Sequence, residues 1–207
     1  MTARRSPCRG RAARAVCGAF VLAGVVASGQ SATAQAPIAQ ATGIAGQVAL
    51  LGDFDHGKRM AAAQAVRRAP AAESGPALAA AITTSTDSYV RFRAFVLLTG
   101  LLDPRLEDFA RAALTDKNDR LRQAAYDWMT GSPLPALAPR LIDLIETEQG
   151  EFVRPSLLRA LAALDADPRV RTAVVREISR GLDIFRGAVI EALGLRGAAY
   201  AVDALAG

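Results

Sequence analysis

Three sets of side chains in this 207-residue sequence could do chemistry: its one histidine, its paired acids and five evenly placed arginines. His56 stands beside Asp55, a combination able to act as a general base, but no serine-nucleophile motif accompanies it. A single histidine also cannot build a multi-histidine metal centre. The adjacent Gly57 marks a turn, so a capping or solvated role is expected for His56. Glu107-Asp108 and Glu146/Glu148 read as solvated helix surface. No glycine-rich phosphate loop of the Walker or dinucleotide type is present. The sequence therefore assigns no catalytic, metal-binding or cofactor-binding residue, and no cofactor is expected.

The arginines carry the strongest pattern. Arg59, Arg91, Arg122, Arg154 and Arg186 lie 32, 31, 32 and 32 residues apart, and each follows an acid by three or four positions: Asp55, Asp87, Asp119, Glu151 and Asp183. A fixed period of this length is the mark of a repeat architecture. Taking the residue before each arginine as position zero, apolar residues recur at 0, 3, 4, 7 and 8, as in Leu121, Ala124, Ala125, Trp128 and Met129. At about 100° per residue these positions form one face of a helix. Asp119 sits where an N-cap acceptor is expected.

A second helical set must lie between the anchored ones. Its members are predicted to begin near Pro76, Pro104, Pro133 and Pro168, behind Gly75, Asp103, Ser132 and Asp167. Bodies such as residues 106–114 and 170–178 have helical apolar spacing rather than period-two alternation. The unit is thus helix, turn, helix. Asp103-Pro104 and Asp167-Pro168, with Val90-Arg91 and Val153-Arg154 in the second-helix position, resemble the short bacterial HEAT-like repeats of the HEAT-repeat family. The unit is shorter than the ~40–47 residues of long HEAT repeats. The resemblance covers residues 42–207 and implies a right-handed all-α solenoid of about five helix pairs, spanning 42–69, 75–101, 103–130, 133–165 and 167–195. A C-terminal half-repeat from Arg196 leaves Tyr200, Val202 and Leu205 without a covering helix. Such an end suits either dimerisation or a truncated part of a longer array.

The chain's formal charge is +5, but five arginines (4, 5, 9, 11 and 14) fall in the acid-free first fifteen residues. Of the 25 Lys and Arg, the other 20 equal the 20 Asp and Glu, so the remainder is formally neutral. The basic stretch precedes an apolar run from Val16 to Ala27 and a small polar segment. The run is shorter than the ~20 residues of a membrane span and suits a cleaved signal peptide. Ala32-Thr33-Ala34 places cleavage after Ala34, with Ala36 the second option. Residues 1–34 are then leader and 35–41 a short linker. Both cysteines, Cys8 and Cys17, belong to the leader, so no disulfide is expected in the mature chain. The expected location is periplasmic or extracellular.

The arginine column is expected to fasten successive repeats through turn carbonyls or Asp87, Asp119 and Asp183, as similar columns do in the resembled family, the alternative being an anion-binding stripe in the groove. Function is then sought on the outer row of the second helices, which in a HEAT solenoid lines the concave surface. Candidate protein-binding residues there are Phe92, Val96, Gln123, Tyr126, Asp127, Arg159 and Glu191, with Phe92 and Val96 at the centre and Trp128 in the core. The row mixes apolar, acidic and basic groups, as protein recognition surfaces do. A neutral mature charge argues against the nucleic-acid role of HEAT-like DNA glycosylases. The diiron hydroxylases built on HEAT repeats need several His-Glu pairs, and this chain has one histidine. The expectation is an exported, non-enzymatic scaffold for a protein or peptide. The alternative is the N-terminal stub of a larger exported protein with its working domain beyond residue 207.

Overall fold

A computed structural model describes residues 43–207. The expected signal peptide, linker, Cys8 and Cys17 lie outside the described residues. Every regular element among the described residues is helical. In chain order they are α1 (Ile44–Ala49), α2 (His56–Arg68), α3 (Ala71–Thr84), α4 (Ser88–Thr99), α5 (Leu106–Ala113), α6 (Asp119–Gly131), α7 (Ala138–Thr147), α8 (Val153–Ala162), α9 (Pro168–Arg176), α10 (Asp183–Leu195) and α11 (Val202–Ala206). Each anchoring arginine lies in an even-numbered helix from α2 to α10.

The helices form a solenoid because none can bury its apolar face alone. Helices α4, α6, α8 and α10 each pack on the next, and α5, α7 and α9 support them from the other layer. One continuous core runs through the stack, from Val48 and Leu51 through Phe95, Met129 and Leu158 to Val189 and Ala201. Helix α8 lies against α6, α7, α9 and α10, and every one of its residues except Arg159 is buried. At the C-terminal end Val202 and Leu205 are exposed, while Tyr200 packs against the core. No helix among the described residues is long and apolar enough to cross a membrane.

Local chemistry sets where each helix starts. Asp55, Asp87 and Asp167 are N-caps whose carboxylates accept backbone N–H groups of Lys58, of Tyr89 and Val90, and of Arg169. Helix α9 begins at Pro168 behind Asp167, as the sequence predicts. Helix α5 starts at Leu106 with Arg105 as its N-cap, two residues past Pro104, and three other starts differ from expectation. Helix α3 begins at Ala71, not near Pro76, because Pro70 is its N-cap and its carbonyl accepts the Glu73 and Ser74 N–H groups. Pro76 therefore lies inside the helix on its exposed side, where it removes one hydrogen bond. Helix α7 begins at Ala138 after a 3₁₀ turn over Pro135–Leu137, rather than near Pro133. Pro133 and Pro135 each force the preceding residue out of helical geometry, and Ser132 and Leu134 accordingly have ψ of 72° and 88°.

The third difference is Asp119, which is the first helical residue of α6 and not its cap. Asn118 is the cap: its side-chain oxygen accepts the Arg120 N–H at 2.9 Å. Its amide nitrogen donates to the Ser88 carbonyl, also at 2.9 Å. One side chain thus starts α6 and ties it to α4. Asn118→Ala is expected to destabilise the fold by about 1–2 kcal/mol in chemical denaturation. Asp119→Ala, which loses no cap, is expected to cost well under half as much.

Candidate functional site

The arginine column turns inward and sideways, toward the joints between repeats. Arg122 Nη1 donates to the Asp116 carbonyl at 2.8 Å, and its Nε and Nη2 donate to the Glu148 carboxylate at 2.8 and 3.1 Å. Arg154 repeats the pattern, with Nη1 on the Ile145 and Glu148 carbonyls and Nη2 on Glu177 at 2.7 Å. Arg91 donates to the Ser85 carbonyl at 3.1 Å and to both oxygens of Asp116 at 3.1 and 3.0 Å. At the ends the pattern thins. Arg59 donates to the Asp53 and Phe54 carbonyls at 2.8 Å, and Arg186 reaches Asp183 within its own helix at 2.7 Å.

The acids that receive a ladder arginine from another repeat are therefore Asp116, Glu148 and Glu177. Of the expected partners, Asp119 pairs with Arg122 and Asp183 with Arg186, each inside one helix. Asp87 is spent on capping α4 and makes no bond to a ladder arginine. The sequence does hold a signal for two of the true partners: Asp116 and Glu148 stand six positions before Arg122 and Arg154, whereas Glu177 stands nine before Arg186. Arg154 and Glu177 are both almost fully buried. The Arg154 guanidinium also lies 5.2 Å from the centre of the Phe185 ring, which belongs to the next repeat.

Two further carboxylates, Asp55 and Glu146, are also committed. The Asp55 carboxylate is held below its usual pKa chiefly by the Lys58 backbone N–H, so it caps the helix and does not orient His56. His56 is exposed, with Nδ1 3.4 Å from Arg59. Glu146 is drawn below the usual carboxylate range first by Arg180, and it also accepts from Arg176. A cavity of about 480 Å³ beside it is lined by Arg154, Arg180 and Phe185. Arg154 and Arg180 already answer Glu177 and Glu146 there. No group of His, Cys, Asp and Glu side chains able to hold a metal occurs among the described residues.

A groove lies on the opposite side of the second-helix row. A cavity of about 400 Å³ is lined by Phe92 and Val96 of α4 and by Arg120, Gln123, Asp127 and Trp128 of α6. A second, of about 410 Å³, shares Phe92, Arg120 and Gln123 and extends to Glu151 and Phe152 before α8. The two adjoin at Phe92, Arg120 and Gln123, and taken together as a channel they span three repeats. Val96 is 38% exposed and Phe152 70% exposed, so the channel presents apolar surface to solvent. Phe92 is half-buried, packs against the core and has its ring 5.9 Å from that of Tyr89.

Four of the expected residues, Phe92, Val96, Gln123 and Asp127, thus line one cavity. Arg159 is partly buried and lies 3.5 Å from Asp127, beside the channel. Glu191 is exposed on α10 and lines neither half. In α8 the outer row fails: Pro155 and Ala162 are buried because this helix is covered on all sides. Tyr126, expected at the groove edge, is fully buried, whereas Trp128, expected in the core, packs against the core and also lines the groove. The cause is geometric. Helix α6 is packed by α4, α5 and α8, so its buried arc is wider than a single stripe and turned toward the next repeat. Sequence alone does not single out Arg120 or Phe152, since neither belongs to the outer row as drawn on an ideal helix.

The Tyr126 hydroxyl has no hydrogen-bond partner among the described residues, and burial, reinforced by the Glu148 charge, pushes its pKa up to about 12. An unpaired buried hydroxyl costs free energy. Because the folded pKa is raised, the neutral ring's stabilisation is complete below the ordinary value of 10.0 and is lost as pH climbs toward about 12. Tyr126→Phe is expected to stabilise the protein by about 1 kcal/mol near neutrality. It should also flatten the fall in stability between pH 10 and 12, measured by denaturant titration at stepped pH.

Residues 75–162 match a family model described as HEAT repeats. No curated protein matches the chain.

Proposed function

We propose that this HEAT-repeat protein is an exported, non-enzymatic scaffold that seats a protein or peptide in the channel across α4, α6 and the start of α8. HEAT repeats serve as helical scaffolds for protein interaction, and the matched segment, residues 75–162, contains the channel-lining residues from Phe92 to Val153. The observation that carries the reading is the channel's mixed surface. It combines exposed Val96 and Phe152 with Trp128, Gln123 and Arg120, a composition suited to the apolar centre and polar rim of an interface. Elsewhere the arginines and acids with catalytic potential are committed to helix caps and repeat joints. Export rests on the basic, apolar and small-residue leader, which directs the mature chain to the periplasm or the cell exterior.

A photo-crosslinking residue placed at position 96 in the exporting cell is expected to yield a defined protein adduct, while one at Asp108 on the exposed side of α5 yields none. The adduct should carry a chain whose N-terminus is Gln35 or Pro37. Equal adducts from both positions would refute the channel as the binding face. An intact Met1 in the recovered protein would refute export by signal cleavage.

A further inference from the structure

Of the four charged side chains along the channel, two are answered within the chain. Asp119 lies 2.9 Å from Arg122, and Asp127 lies 3.5 Å from Arg159. Arg120 differs. It lines both halves of the channel and is exposed, and its guanidinium makes no hydrogen bond or ion pair among the described residues. Its position is also electrostatically poor. As the second residue of α6 it stands where the helix's free N–H groups already present positive potential, a place that favours acids. A local rule is broken there with no compensating partner among those residues.

We propose, resting on the binding reading above and deepening it, that the channel takes a peptide segment in which an aliphatic or aromatic side chain stands next to an Asp or Glu. The apolar side chain enters between Val96 and Trp128, and the neighbouring carboxylate pairs with Arg120. A guanidinium presents planar paired donors that match a carboxylate, and the helix N-terminus behind it adds to the attraction. Glu151, which makes no ion pair among the described residues and lines the α8 end of the channel, repels a second carboxylate. It thereby sets the direction in which the segment lies.

The test is selection of short random peptides displayed on phage against the full chain. The winners are then synthesised with both ends capped, so that only side-chain carboxylates remain. Trp128 is the only tryptophan and lines the cavity, so its fluorescence reports occupancy directly. Selected peptides are expected to carry an apolar residue beside Asp or Glu, and replacing that acid by its amide should weaken binding about tenfold. Arg120→Glu should lose these peptides and select ones with Lys or Arg at the same place. The variant's melting temperature should not fall, since the Arg120 side chain makes no bond and an acid suits this helix end. Peptides that bind the channel without an acid, or that ignore Arg120→Glu, overturn the Arg120 assignment and leave the channel reading standing. If no selected peptide loses binding to Val96→Asp, the channel reading itself fails, and the inference with it.

Discussion

The stack depends on a joint in which one acidic residue is used twice. The Glu148 backbone carbonyl accepts from Arg154 of its own repeat, while its carboxylate accepts from Arg122 of the repeat before. Asp116 does the same for Arg122 and Arg91. The turn carbonyl would otherwise be an unsatisfied acceptor, and the arginine would otherwise be a costly buried cation. Each solves the other's problem, and the chain of solutions runs from Arg91 to Glu177. It stops where its parts are missing. Position 85 is serine, so Arg59 finds no carboxylate ahead, and position 180 is arginine, so Arg186 finds no acidic residue six places behind.

This arrangement explains why the side chains most suggestive of a functional stripe are structural. Guanidinium groups bound to a carbonyl and a carboxylate have few donors left for a ligand. Binding capacity moves to the other side of the second helices, where α4 and α6 leave the channel between them. The same rows that lock the joints hold Phe92, Val96 and Trp128 at fixed spacing, so the channel is presented on rigid elements. The helical frame also accounts for its position in the stack. Helix α8 is buried nearly all round, so the exposed residues just before it, Glu151 and Phe152, supply most of its end of the channel.

Much of the architecture is legible in the sequence because a repeat states its own period. The arginine spacing identifies the helix pairs, and Asp167-Pro168 opens α9 as expected, while Asp103-Pro104 falls in the turn before α5. What is not legible comes from neighbours. An ideal helical wheel has one buried stripe, but α6 touches helices on three sides, and so Tyr126 lies in the core while Trp128, packed against that core, also reaches the groove. The capping role goes to Asn118 and not Asp119 by a shift of one residue. Closely spaced X-Pro steps delay α7, an effect of backbone sterics that a search for the first proline overlooks. The acids just before each arginine are the conspicuous ones, yet two of the three joints use an acid six positions before the next arginine, and the third uses Glu177, nine before Arg186.

Coupling of one repeat to the next by the ladder arginines is what the stack stands on. A double-mutant cycle on Arg122 and Glu148, whose side chains are 17% and 6% exposed, measures that coupling apart from each residue's other bonds. With Arg122→Ala, Glu148→Ala and the double variant compared by denaturant unfolding, a coupling of about 2 kcal/mol is predicted. A coupling near zero, with the two losses simply adding, would contradict the joint as the basis of the stack.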